Sequence, residues 1–234
     1  MTLSRYWWFA WVAAFAFIGC SSEPAGYFPK EKGAKWTYRV VTTTMRGDVT
    51  ETPFHIESLG SQRLEGKDYF IRRTSSGTDY LLREDETGIY RIGERTIIDH
   101  LPRLDPQPRY VLKLPLQPGT EWRADTHPYV IRRIHPYVEY YHRSITFPMT
   151  YRIVSSNATV SVPAGIFENC IEVIGEADLT LYVDPRIGWG ELPVITHEWY
   201  AKGVGLVKIE RTEKLDTGVF LGGTMVWELT EFDF

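Results

Sequence analysis

The sequence predicts an all-β protein: a curved antiparallel sheet, half-barrel or sandwich-like, built from two pseudo-repeats. Three observations point there. Apolar and polar residues alternate with period two over short runs along nearly the whole chain after residue 26, the signature of half-buried strands. Clusters of Gly, Pro, Asn, Asp and Ser punctuate those runs, as tight turns require. No stretch of that region carries a long apolar stripe of period 3.6, so the strand–helix alternation of parallel α/β folds is excluded.

The first residues stand apart from this pattern. Arg5 supplies a positive start, and Tyr6 to Ile18 (YWWFAWVAAFAFI) is almost wholly apolar. That run is too short to span a bilayer, which takes about 20 apolar residues, and it reads as a secretory signal peptide. Small Gly19 precedes Cys20, and Ser-Ser-Glu-Pro-Ala-Gly follows. The expected organisation is a signal peptide over 1–19, an acylated N-terminus and tether over 20–26, and one β domain over 27–234. Its pseudo-repeats cover about 27–110 and 111–234.

Within that domain the expected strands are Trp36–Thr43, Asp68–Arg73, Tyr80–Arg83, Gly88–Ile92, Tyr110–Leu114, Met149–Val154, Thr159–Val162, Cys170–Ile174, Leu179–Val183, His197–Ala201, Gly205–Arg211 and Thr224–Thr230. Turns are expected at Arg46–Asp48, Leu64–Lys67, Ser75–Thr78, Ser155–Asn157, Pro163–Gly165 and Asp216–Gly218. Asp105-Pro106-Gln107-Pro108 is the expected seam between the halves, because proline cannot serve a central ladder position.

The two halves open alike. Phe28-Pro29-Lys30-Glu31-Lys32-Gly33-Ala34-Lys35-Trp36 matches Leu114-Pro115-Leu116-Gln117-Pro118-Gly119-Thr120-Glu121-Trp122. Gly33 and Gly119 suit the positive φ of a turn, and Trp36 and Trp122 are expected to plug the core where each strand begins. The segment Arg83–Arg91 echoes Trp199–Lys208 more loosely.

Composition narrows the function. The chain has 234 residues, is 43% hydrophobic and 24% charged, and carries a net charge of −4. This balance excludes disorder as the main state and gives no field that would draw nucleic acid. Two cysteines exclude a disulfide scaffold and a cysteine-based zinc site. Cys170, in an acidic neighbourhood of Glu168 and Glu172, is expected to be a buried, inert thiol. If alternation is strict, Cys170 shares a strand face with those two glutamates.

Two resemblances add to this reading. Phe17-Ile18-Gly19-Cys20 resembles the bacterial lipobox, with Phe17 where Leu is usual. The resemblance implies lipid on Cys20, and Ser21 in second mature place resembles the pattern of outer-membrane lipoproteins. The motifs Tyr27-Phe28-Pro29…Gly33…Trp36-Thr37-Tyr38, Val162-Pro163-Ala164-Gly165-Ile166-Phe167-Glu168-Asn169-Cys170 and Trp199-Tyr200-Ala201-Lys202-Gly203-Val204-Gly205-Leu206-Val207-Lys208 are similar to those of a widespread group of bacterial lipoproteins and secreted proteins. That likeness implies a strongly curved antiparallel sheet, similar to the half-barrel of periplasmic lipoprotein carriers, and no activity.

The most unusual local sequence is His127–Arg143, with three histidines, four tyrosines and three arginines. His127 and His135 would lie about 26 Å apart on one strand, too far to share a metal. Arg132, Arg133, Tyr137, Tyr140, Tyr141 and Arg143 form a candidate ligand surface for an anionic sugar, headgroup or peptidoglycan. The simpler reading is a two-stranded excursion with packed tyrosines and solvated arginines. Asp184 and Glu191, in a Gly/Pro-rich loop over 184–193, are the carboxylate pair open to a hydrolase reading. No nucleophile elbow, zinc-protease, phosphate-loop or dinucleotide motif is present, so no cofactor is expected. The reading is a non-enzymatic binding or assembly module on a lipid anchor. Its partners are the membrane and an envelope protein or a hydrophobic ligand. The alternative is a periplasmic carrier of such a ligand.

Overall fold

The computed structural model describes residues 26–64, 66–134 and 145–234. Every described element is a strand. The first half holds β1 (Lys35–Thr44), β2 (Val49–Leu64), β3 (Lys67–Thr74), β4 (Asp79–Asp85), β5 (Gly88–Arg95) and β6 (Arg103–Lys113). The second holds β7 (Glu121–Thr126), β8 (Arg132–Arg133), β9 (Phe147–Val162), β10 (Gly165–Asp184), β11 (Gly188–Ala201), β12 (Gly205–Asp216) and β13 (Phe220–Asp233). The all-β, curved antiparallel sheet is therefore what the chain forms.

All the long strands join one path, β6-β5-β4-β3-β2-β1-β13-β12-β11-β10-β9-β7, and short β8 adds to β13. The two ends of this path, β6 and β7, are neighbours in sequence. They approach each other, so the sheet is nearly closed into a barrel. Side chains bridge the seam where ladder bonds are missing. Trp122 Nε1 donates to Tyr110 O at 3.2 Å, and Arg109 Nε donates to Asp125 O at 2.6 Å.

Strict alternation explains which way most side chains face. Phe147, Met149, Tyr151 and Ile153 of β9 are buried, while Pro148, Thr150 and Arg152 between them are exposed. Leu192, Val194 and Thr196 of β11 repeat the pattern. The main core joins Phe70, Leu82, Ile89, Leu112 and Trp122 to Met149, Val173, Leu181 and Phe220. A second cluster gathers Trp36, Tyr38, Val160, Val162, Cys170 and Leu229.

Antiparallel order sorts the loops into two ends. The lower end carries Gly26 and the turns before β3, β5, β10 and β12. There Gly203 N donates to Gly26 O at 2.9 Å. The lower part of the β9–β10 hairpin reaches β13, where Ala164 N donates to Leu229 O at 3.0 Å. The upper end carries the turns before β2, β4, β6, β11 and β13.

Several expected boundaries shift. β2 and β7 were not expected: β2 is mostly exposed and polar, and β7 is only six residues long. Ser155–Asn157 is not a turn but part of β9. The pairing of β9 with β10 is irregular there, and Ser155 Oγ satisfies Asn157 N at 3.2 Å. The loop over 184–193 shrinks to a turn, because Gly188–Pro193 belongs to β11. Asp105–Pro108 lies inside β6, where pairing with β5 is irregular between Arg91 and Gly93. An edge strand tolerates those prolines. Alternation also fails at Cys170. Asn169 takes φ +55°, so the buried thiol does not share a face with exposed Glu168. Burial pushes the thiol up to about 11.

Candidate functional site

The sequence from His127 begins at the upper end of β7 and crosses to β13. In sheet order that passage clears β9, β10, β11 and β12. It docks when Arg132 and Arg133 pair with Leu221 and Phe220 and Ile134 N donates to Val219 O at 2.9 Å. Val130 and Ile131 are buried on the way. The described part is thus a strap and not the two-stranded excursion expected.

One ion pair holds the strap. Arg211 and Glu213 sit two residues apart on β12, so they share its inner face, and they are 2% and 0% exposed. Arg211 Nε donates to Glu213 Oε1 at 2.6 Å. The Glu213 carboxylate accepts from three successive backbone N–H groups: Tyr129 (3.0 and 3.1 Å), Val130 (2.8 Å) and Ile131 (2.9 Å). Successive N–H groups turned one way make such an anion cradle. Arg211 Nη2 donates to His127 O at 3.2 Å, and its guanidinium lies 4.2 Å from the Tyr129 ring centre. The desolvation penalty of two buried charges is offset by these bonds.

A polar layer surrounds that strap. Tyr200 Oη donates to Glu198 Oε2. Burial raises the Glu198 carboxyl above its ordinary range, although Tyr200, Arg109 and Arg211 pull the other way. Burial raises the Tyr200 phenol, with Glu198 adding to the effect. Burial lowers His127 to about 4, helped by Arg109, Arg211 and Arg91. Chemically this layer is a set of internal pairs, each charge answered by the same chain. Among the described residues, no group of three or more His, Cys, Asp or Glu converges to hold a metal ion.

Near the lower end lies a buried cation of another kind. The Arg72 guanidinium lies 4.4 Å from the Phe28 ring centre and 4.2 Å from that of Trp36. Arg72 Nη2 donates to Pro29 O at 3.4 Å. Burial lowers the group to about 10, which leaves it charged at neutral pH. The contact ties the tether-side segment Phe28–Pro29 to β3.

Of the expected ligand surface, Arg132 and Arg133 are described, side by side on β8. Arg132 is exposed on β8, and the Arg133 guanidinium lies 5.1 Å from the Phe220 ring centre. Cys20, Tyr137, Tyr140, Tyr141 and Arg143 lie outside the described residues. Asp184 caps its own turn, accepting from Arg186 N at 2.7 Å and Ile187 N at 2.8 Å. Glu191 pairs with Thr180 further down the hairpin, about 10–13 Å along the strand by the usual rise. The structure does not bring these two carboxylates together. Arg72, Arg109, Glu198, Arg211 and Glu213 went unread in the sequence. The available signal was parity: Arg211 and Glu213 continue the inward positions of Gly205, Val207 and Ile209.

The upper end also presents most of the large exposed apolar side chains among the described residues, while Ile166 and Phe234 are exposed at the lower end. Ile97, Ile98 and Leu101 stand on the loop before β6, and Tyr182, Ile187 and Trp189 at the β10–β11 tip. Comparisons with known proteins add likeness of fold only. No protein-family model matches the chain, and no curated protein does. Two solved structures are similar to it. One is a protein inferred to be a lipoprotein, from Parabacteroides distasonis ATCC 8503, 14% identical with TM-score 0.47. The other, from Bacteroides fragilis NCTC 9343, is inferred to be exported and has a YmcC-like fold; it is 13% identical with TM-score 0.48. In each case 90% of this chain and 100% of the other is covered.

Proposed function

We propose that the chain is a lipid-anchored envelope lipoprotein acting as a non-enzymatic binding or assembly module. In this reading lipid on Cys20 holds the lower end at a membrane, the outer membrane by the pattern of Ser21, and the upper rim meets the partner. The carrying observation is polarity of the barrel. Gly26, where the described chain begins, hydrogen-bonds at the lower end, and Ile97, Ile98, Leu101, Ile187 and Trp189 stand exposed at the upper end. A soluble protein leaves such patches bare mainly where something covers them. The polar layer supports binding over catalysis, because its charged groups are held by each other.

The test is metabolic labelling with a clickable fatty acid. Label is expected to vanish in Cys20→Ser and persist in Cys170→Ser. Label that survives in Cys20→Ser overturns the anchor. Native mass spectrometry of the purified protein separates the module from a carrier: a co-purified apolar ligand, removed without loss of fold, counts for carriage.

A further inference from the structure

We infer that the upper rim docks on a lipid surface other than the membrane holding the chain's own lipid. That the two surfaces are distinct rests on the anchor reading above; the docking itself rests on the rim. Ile97, Ile98 and Leu101 are 78%, 87% and 78% exposed, and Trp189 is 71% exposed. Trp189 packs edge-on against Tyr182, its partner across the hairpin, at 5.4 Å.

Both tips are tied by hydrogen bonds of their own. Asp99 accepts from Thr96 N at 2.9 Å and Thr96 Oγ1 at 2.6 Å, and Asp99 N donates back to Thr96 O at 3.1 Å. Asp184 does the same for Arg186 N and Ile187 N at the second tip. Backbone groups answered from within lose little when water is withdrawn. The aliphatic side chains are left exposed.

The two tips favour a lipid surface over a protein groove. Across the seam of the nearly closed barrel only β7 and β9 lie between the two hairpins, so both tips stand on one side of the same end. A fluid, planar surface takes such aliphatic side chains below a Trp/Tyr level with charged groups at the headgroups. Arg103, 3.5 Å from Asp99 and 3.6 Å from Glu94, and exposed Arg186 supply that charged level. Gly26 lies at the opposite end, so on the anchor reading the surface met by the rim is a second one.

Vesicle bridging tests this with the acylated full-length protein. The protein is reconstituted through its lipid into bead-bound donor vesicles. Acceptor vesicles of phosphatidylethanolamine with a minority of phosphatidylglycerol carry a fluorescent lipid. Wild type is expected to capture acceptors several-fold above protein-free donors. Ile97→Ser/Ile98→Ser/Leu101→Ser is expected to lose most of that capture, and Trp189→Ser part of it, with melting temperatures unchanged because the sites are exposed. Capture no better than bare donors, or equal capture by the triple variant, overturns the inference. Protein retained on the donors reports the anchor separately. If it is not retained, flotation of the same protein with acceptor vesicles, wild type against triple variant, still decides the rim. A photo-crosslinker at Ile98 in cells gives lipid adducts if the inference holds, whereas one discrete protein adduct sinks it.

Discussion

Gly33 and Gly119 adopt the same backbone state, φ +94° in each, and each leads three residues later to a buried tryptophan. The turns share their bonds as well. Gly33 N donates to Ser58 O at 2.8 Å and Gly119 N to Ile153 O at 2.9 Å. Ala34 N reaches Glu31 O at 3.3 Å, and Thr120 N reaches Gln117 O at 3.2 Å. Beyond the tryptophans the likeness ends. Trp36 begins β1, which has β2 and β13 on either side, and is 1% exposed. Its indole N–H donates to Val204 O at 2.8 Å, and its ring faces the Arg72 guanidinium. Trp122 begins β7, an edge strand, and is 5% exposed. It stacks on Tyr151 at 5.7 Å and 11°, and its N–H crosses the seam to Tyr110 O. Turn chemistry fixes the local path, and the place in the sheet fixes what the tryptophan holds together.

The largest effect expected from breaking this comparison is at Trp36. Trp36→Ala empties a site walled on both sides and uncovers one face of a buried cation, so a loss of about 3–5 kcal/mol is expected. That is a large share of the 5–15 kcal/mol that holds a typical domain. A urea midpoint like wild type would remove Trp36 from the core.

Trp122→Ala is expected to cost less, about 2–4 kcal/mol, and to act locally. Only β9 pairs with β7 by ladder bonds, so the seam toward β6 should open first. Hydrogen exchange should speed up in β6 and β7 before it does in β1 and β13. Uniform loss of protection would show that the seam does not open separately.

Acid sharpens the contrast. Trp36 neighbours Arg72, which does not titrate in the acid range. Trp122 rests on Tyr151, in the layer with Glu198 and His127. His127 has a folded pKa of about 4, below its ordinary 6.5, so the unfolded chain binds the extra proton between those values. Stability from this group is full above about pH 6.5 and is lost as pH falls toward 4. The loss at pH 5 is on the order of 2 kcal/mol. His127→Gln should flatten the stability profile between pH 7 and 5. An unchanged slope assigns the acid sensitivity elsewhere.

Much of the fold was legible because period two and turn chemistry are local signals. Ten of the long strands contain expected runs, and both tryptophans lie where the turns implied. β2 escaped because VTETPFHIESLGSQRL exposes both faces over most of its length, so no buried face marked it. The fused β9 and β10 escaped because irregular pairing lets a strand run through Ser155–Asn157, which a turn rule reads as a stop. The polar layer was illegible for another reason. Arg109, Glu198 and Arg211 meet only after strands far apart in sequence are brought together, and the strap bonds of Glu213 run to backbone N–H groups that carry no residue signature.

The smallest expected effect isolates the turns from what they feed. A Cβ added at Gly33 or Gly119 meets nothing within 4 Å, so alanine there adds no clash. The whole penalty is the left-handed backbone, about 1–2 kcal/mol for a residue with a Cβ. Gly33→Ala and Gly119→Ala should therefore destabilise equally, within about 0.5 kcal/mol, although their tryptophans stand in an interior and an edge strand. The double variant should lose the sum, since separate sites add. Chemical denaturation of the three variants measures both points. If Gly33→Ala proves much the worse, the interior strand amplifies strain in its turn, and local path and sheet position cannot be treated as independent.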